Sequence, residues 1–176
     1  MRRYFVILFF VSLSPLLRAE APAVDGALQH SVAEIRNAIG HWQVTTDFLN
    51  DDGSVSRTVP STYEFWWIVP DRVAGGRNDS PAMNQASGIL FYVREKKREI
   101  EMVAVGNDGH LWIMTGPVGG DQRMSQEFKT DAGVSRLRFT RFNVTKDRFE
   151  SRMEYTEDGG KTWKPGNHQV FTRTTS

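Results

Sequence analysis

The sequence of 176 residues contains no cysteine. The chain therefore forms no disulfide, no thiolate metal site and no cysteine nucleophile. A bacterial lipoprotein anchor is excluded for the same reason, because its lipid is carried by a cysteine. The fold must be held together by its own hydrophobic core. Roughly 155 residues are enough for this, since a domain of that size buries about 70% of its unfolded surface.

The sequence also lacks an excess of either charge. It has 22 basic and 21 acidic residues, which gives a formal net charge of +1. Loss of Arg2, Arg3 and Arg18 with a leader would shift the net charge to near −2. The cations are scattered among carboxylates, so neither nucleic acid nor an anionic membrane is an expected partner.

Only one long apolar run is present, at residues 4–17, after Arg2 and Arg3. This order predicts a signal peptide over residues 1–19, with cleavage after Ala19 or Ala21. The first cut is preferred because the second leaves a proline at the new N-terminus. The run is shorter than the about 20 residues that a membrane span needs, although an uncleaved anchor is the alternative. We expect export to the periplasm or the extracellular medium, with no stable membrane insertion after cleavage.

The rest of the chain reads as one helix followed by strands. Leu28, Val32, Ile35 and Ile39 share one helical face. After Gly40 the apolar residues alternate, in nine or ten short segments with turns every 8–12 residues. The connections are too short for parallel crossovers. The sequence therefore predicts a single all-β domain over residues 26–174, an antiparallel meander barrel of about eight to ten strands with one N-terminal helix.

Two segments depart from this pattern. Residues 71–87 show no periodicity and are expected to form a long loop, either a lid over one end of the barrel or a disordered surface loop. In residues 136–144, Leu137 and Phe139 are in phase but Phe142 is not. A bulge near Thr140 or Arg141 would explain this, and so would a strand that lines a cavity which is apolar at the bottom and polar at the mouth.

The stretch TEDGGKTW, residues 156–163, matches the Asp-box of sialidase propeller blades. Asp158 can accept backbone N–H bonds, Gly159 and Gly160 can adopt positive φ, and Trp163 can pack over the turn. Each residue thus has a conformational role in a hairpin. A sialidase is not indicated, because those enzymes need several blades and a much longer chain.

The ends of the barrel sequence predict how it closes. Gly40 and Trp42 begin the first strand, and Arg173 ends the last. In a closed meander these strands are neighbours, so the guanidinium of Arg173 would lie over the indole of Trp42.

A Gly-x-Trp at the first strand and an arginine at the last resemble the calycin and lipocalin superfamily. The order of GHW, EFWWIVPDR, GILFYV, VAVGNDGHLWIMTG, LRFTRF and MEYTEDGGKTWKPGNHQVFTR resembles a family of small, often exported bacterial proteins of unknown function with a calycin-like barrel. The resemblance spans about residues 34–173. It implies the fold and the closure residues Gly40, Trp42 and Arg173, but no reaction.

Catalytic and metal-binding patterns are lacking. The four histidines show neither HxH nor HxxxH spacing, and no G-x-S-x-G elbow or P-loop is present. We therefore predict no catalytic residue, no metal site and no cofactor. One option follows from a relative of the calycins, nitrobindin, which holds haem through a histidine; His168 on the last strand would be the ligand.

The side chains of the predicted barrel interior suggest a ligand cavity. Trp66 and Trp67 are adjacent, so one points inward. The candidate binding residues are Trp66, Trp67, Phe91, Met102, Trp112, Met114 and Phe139, with Arg138 and Arg141 as polar contacts at the mouth. An aromatic and methionine lining suits a flat or greasy molecule.

Three functions follow from this interior. The first is non-enzymatic binding of a small, partly apolar molecule in the barrel. The second is a solid-cored envelope or interaction protein that uses its outer face or residues 71–87. The third is an enzyme acting on a molecule held in the barrel.

Overall fold

The structure, a computed structural model, describes residues 25–131 and 133–174. The predicted signal peptide at residues 1–19 lies outside these residues. The single α-helix of the described residues is too short and too polar to cross a membrane. Helix α1 precedes the strands, and the bounds are α1 (Gly26–Ala38), β1 (Gly40–Leu49), β2 (Val55–Val69), β3 (Val73–Ser80), β4 (Gln85–Arg94), β5 (Glu99–Gly106), β6 (Leu111–Pro117), β7 (Gln122–Ser125), β8 (Phe128–Thr130), β9 (Gly133–Phe142), β10 (Arg148–Thr156) and β11 (Lys164–Arg173).

The strands form a closed antiparallel barrel. Each pairs with the next along the chain from β1 to β7, then β7 pairs with β9, and β11 pairs back with β1. All strands but β8 belong to this ring, which therefore has ten; β8 pairs with the first residues of β9. This confirms the predicted antiparallel meander barrel with one N-terminal helix.

Helix α1 covers one end of the barrel. Its N-cap is Asp25, whose carboxylate accepts a hydrogen bond from the Leu28 amide at 3.1 Å and also binds Arg98. The predicted apolar face is confirmed at Ile35, which is fully buried. The buried face is more polar than expected, because Ser31 and Glu34 are buried on it together with Ile35 and Ala38.

The closure contact has the predicted form. Trp42 of β1 pairs with Arg173 of β11, and the guanidinium carbon lies 4.2 Å from the centre of the indole. The same guanidinium donates to the Ile39 carbonyl at 2.7 Å and to the Asn37 carbonyl at 2.8 Å, at the end of α1. Gly40 has a φ of +121°, and a Cβ there would lie 2.6 Å from Arg173 Nη1. Arg173 therefore fastens both the barrel seam and the helix.

The prediction of a long loop at residues 71–87 is wrong. These residues form β3, a short 3₁₀ turn and the start of β4. Aromatic side chains of β2 pack flat on the β3 backbone. A Cβ at Gly75 would lie 3.0 Å from Trp66, and one at Gly76 would lie 2.5 Å from Phe65. The strand lacks apolar periodicity because its neighbours supply the side chains that cover it.

The prediction of a bulge in β9 is also wrong. The strand pairs with β10 residue for residue, without a register shift at Thr140 or Arg141. Leu137, Phe139 and Arg141 all face the interior. Phe142 is an outward-facing aromatic that stacks on a histidine of β11. The alternative holds only in part. The strand lines a cavity, but Arg141 bonds to the Glu34 carbonyl of α1, so the charged end of the strand lies at the covered end of the barrel and not at the mouth.

The TEDGGKTW stretch is a hairpin between β10 and β11, as predicted. The Asp158 carboxylate accepts hydrogen bonds from the Lys161 amide and from the amide and hydroxyl of Thr162. Gly159 and Gly160 have φ of +74° and +96°. The bonds from Thr162 are the main cause of a pKa for Asp158 far below its usual range. The motif thus has a structural role in the turn.

Candidate functional site

A cavity of about 280 Å³ lies inside the barrel, between α1 and the opposite rim. Because side chains of a strand alternate in direction, every second residue of the surrounding strands points into it. The middle of the cavity is lined by an apolar belt, consisting of Tyr63, Phe65, Ile89, Phe91, Met102, Trp112, Met114, Leu137, Phe139, Phe149 and Phe171. This belt gives the cavity the aromatic and methionine character expected from the sequence.

Six of the nine predicted binding residues line this cavity. They come from β4, β5, β6 and β9, and are Phe91, Met102, Trp112, Met114, Phe139 and Arg141. Trp66, Trp67 and Arg138 lie elsewhere.

Trp66 and Trp67 point to opposite faces of β2, as predicted, but neither ring lines the cavity. Trp66 is on the outer face, 44% exposed, and packs over Gly75. Trp67 is half-buried and packs against Ile35 of α1 and its neighbours. It belongs to the core between the helix and the sheet, because β2 extends beyond the cavity towards α1.

Arg138 lies outside the barrel. It binds Glu154 at 2.9 Å, and its guanidinium carbon is 4.2 Å from the centre of the Trp163 ring. It therefore supports the Asp-box hairpin. Arg141, three residues later, points inward, since an odd step along a strand changes the face.

Arg141 reaches the closed end of the cavity instead of the mouth. There it meets Arg123 and Glu34, and we call these three residues the cavity floor. Arg123 Nη2 donates to Glu34 Oε2 at 2.5 Å, and Arg141 Nη1 lies 3.7 Å from Glu34 Oε1. The side chains of Arg123, Arg141 and Glu34 are 7%, 9% and 4% exposed. Two guanidiniums thus share one carboxylate, and one positive charge is in excess.

The arginines of the floor also contact the apolar belt. The guanidinium carbon of Arg141 lies 4.2 Å from the centre of the Phe149 ring, and that of Arg123 lies 5.1 Å from the Phe91 ring. Burial lowers the pKa of Arg141, and Arg123 adds to the decrease, whereas Glu34 and, more weakly, Asp121 oppose it. Arginine nevertheless stays protonated at ordinary pH. The floor is therefore a buried cationic surface beneath an apolar chamber.

Sequence reasoning missed Glu34 and Arg123. Glu34 precedes Ile35 on the helix, so a carboxylate on the buried side of α1 was the available signal. A buried carboxylate requires a cation, but the sequence did not indicate which strand supplies it. Asp121, also missed, lines the cavity at the α1 end, where it is 49% exposed and accepts a bond from His30 at 3.0 Å.

The opposite end of the cavity is polar but uncharged. Ser87, Ser151 and Gln169 line it. Ser151 donates to the Gln169 side chain at 3.2 Å, and Ser87 donates to the Asn78 side chain at 3.3 Å. No α-helix crosses this end within residues 25–131 and 133–174. We call it the mouth.

His168, the candidate haem ligand, lies on the outer face of β11. Its Nε2 is 2.8 Å from Glu150, and its ring stacks on Phe142. Bonds from Asn143 and then His168 lower the pKa of Glu150. No cluster of three or more metal-binding side chains occurs in the part of the chain that the structure describes.

The chain matches no protein-family model and no curated protein. Membership of the family of unknown function that its motifs resemble therefore stays a prediction. Among solved structures, the chain is similar to the S-type phycobiliprotein lyase of Guillardia theta. The two are 12% identical, with a TM-score of 0.47, over 87% of this chain and 99% of the lyase. The barrel itself is evident from the strand pairing.

Proposed function

We propose that the barrel binds a small, partly apolar molecule without transforming it. The observation that carries this proposal is the cavity of about 280 Å³ inside the barrel. Small-molecule sites usually measure about 300–1,000 Å³. The volume here is just below that range, which suits a molecule of one or two rings or a short acyl chain.

The apolar belt supplies the driving force for binding. Each 100 Å² of apolar ligand surface removed from water contributes about 2.5 kcal/mol. Met102 and Met114 face each other across neighbouring strands. Their flexible side chains can adapt to the shape of a ligand.

The polar groups of the cavity favour binding over catalysis. The two serines that line it donate to the amides of Gln169 and Asn78, so neither is paired with a base. Among residues 25–131 and 133–174, no histidine lines it. A nucleophile of the serine type needs an adjacent general base.

We further propose that the protein works after export, in the periplasm or outside the cell. The support is the basic and apolar N-terminal segment of the sequence. Detection of the mature chain in a periplasmic or culture fraction, with cleavage after Ala19 or Ala21, would support this part. An intact chain in the cytoplasm would refute it.

Native mass spectrometry of freshly purified protein tests the proposal directly, because a co-purified molecule adds its mass to the chain. The neutral dye N-phenyl-1-naphthylamine gives a second measurement, since its fluorescence rises in an apolar cavity. Ala104 of β5 also lines the cavity. We expect binding by the wild type and a loss of about tenfold or more in Ala104→Trp, because the larger side chain would fill the chamber. Val105→Trp, on the outer face of the same strand, is the matched control. Equal dye binding by both variants, or none by the wild type, would count against the cavity.

An interaction protein is the second candidate, and the outer surface supports it. Trp66, Ile68 and Leu90 are 44%, 53% and 42% exposed and lie together around Gly75. Exposed apolar patches are typical of association sites. This candidate would replace the first if the dye failed to bind and Trp66→Ser abolished concentration-dependent association in sedimentation velocity.

A further inference from the structure

The two arginines of the cavity floor have unused hydrogen-bond donors. The Nε atoms of Arg123 and Arg141 are buried and find no acceptor in the described part of the chain. Both side chains line the cavity and are more than nine-tenths buried. Buried donors are nearly always satisfied in native proteins. Two of them in one chamber indicate an acceptor that arrives with a ligand.

The neighbouring carboxylates do not fill this need. Glu34 is already engaged by the terminal nitrogens, with Arg123 Nη2 at 2.5 Å and Arg141 Nη1 at 3.7 Å. Arg141 Nη2 donates to the Asn37 side chain at 2.5 Å. Asp121 is half-exposed and bonded to His30, and it attracts Arg141 through its charge but bonds to neither Nε. The buried charges therefore leave one positive charge and two N–H groups for another anion.

We propose that the cavity floor is a carboxylate subsite, so that the ligand is an amphipathic monocarboxylic acid. Its apolar body fills the belt, and its carboxylate accepts hydrogen bonds from Arg123 and Arg141. This inference rests on the proposed function. One excess charge matches a monoanion, and guanidinium donors match the geometry of a carboxylate. An ammonium group would meet like charge, and a neutral amide would leave the charge unpaired.

Three probes with one skeleton test the proposal: 4-phenylbutyrate, 4-phenylbutanamide and 4-phenylbutylamine. Each competes with N-phenyl-1-naphthylamine at pH 7. We expect the carboxylate to bind about tenfold to hundredfold more tightly than the amide, as charge-assisted hydrogen bonds predict, and the amine to bind weakest. If the dye binds but the carboxylate shows no preference over the amide, or no probe competes, the subsite is refuted while the cavity stands. If the dye and all probes fail, the proposed function fails as well.

Two variants change the net charge of the cavity floor in opposite directions. Arg141→Met should bring the carboxylate to within about threefold of the amide, because the excess charge disappears. Glu34→Gln should increase the preference for the carboxylate, since it removes the competing anion. Arg152→Met, an exposed arginine of β10, is the matched control and should keep the wild-type preference. If Arg141→Met does not fold, a Glu34→Gln preference equal to or below that of the wild type would still overturn the proposal.

Discussion

Replacing Arg173 with methionine tests the closure of the barrel. The change keeps the length and most of the apolar volume of the side chain but removes its charge and its donors. It removes the stacking on Trp42 and the bonds to the carbonyls of Asn37, Ile39 and Lys146, at 2.8, 2.7 and 3.1 Å. Two of these carbonyls end helix α1, where they have no partner within the helix.

The expected loss of stability is about 3 kcal/mol. The stacking of a partly buried cation on an indole contributes about 1 kcal/mol. A hydrogen bond from a charged donor contributes about 1.5–3 kcal/mol, so three could give more than the stated total. Arg173 is 23% exposed, however, and water can take over part of these bonds. For a domain of this size, about 3 kcal/mol lowers the Tm by roughly 6–12 °C.

Differential scanning calorimetry and urea unfolding measure this loss, with Arg72→Met as the control. Arg72 is 69% exposed and 3.6 Å from Glu95. Its replacement should cost less than about 0.5 kcal/mol. Arg173→Lys should recover only part of the stability, since an ammonium cannot reach three carbonyls in the plane of a guanidinium. If Arg173→Met and Arg72→Met have the same Tm, the closure contact does not stabilise the barrel and the reasoning is refuted.

Two further changes test local features. Gly40→Ala should lower the free energy of unfolding by about 2 kcal/mol or more, because the φ of residue 40 is +121° and the new Cβ would meet Arg173. Urea unfolding measures this loss. Gly88→Ala is the control and should be nearly neutral, since a Cβ at residue 88 would lie in open space. Asp158→Asn should destabilise the protein at pH 7. The carboxylate has a lowered pKa in the folded state, so its contribution is present above about pH 4 and lost as the pH falls further. The difference from the wild type should therefore shrink between pH 7 and pH 3, and an unchanged difference would contradict the assigned role.

The order of strands was predictable because short turns force neighbours in sequence to be neighbours in space. For a meander of strands to close into a barrel, only β1 and β11 still had to pair. Trp42 and Arg173 indicated that these two strands are neighbours. The apolar belt was predictable for a similar reason. Strand alternation decides which of two adjacent residues faces inward, and Phe91, Met102, Trp112, Met114 and Phe139 follow it.

The errors have a common cause, which is that period-two patterns ignore what neighbouring strands supply. Strand β3 has few apolar residues because Phe65 and Trp66 of β2 cover it, so it resembled a loop. Trp67 faces α1 beyond the cavity, and this depends on how far β2 extends. The floor combines side chains from a helix and two strands, Glu34, Arg123 and Arg141. No local spacing could bring them together.

The ring of strands closes only when β1 and β11 pair. The first strand cannot pair on its second side until the final ten residues of the sheet are available. We expect this long-range pairing to slow folding. Until then β1 and β10 both present open hydrogen-bonding edges, which are templates for another chain. A chain shortened before Lys164 would stay in that state and would be expected to form aggregates, whereas the full ring leaves no such edge along its seam.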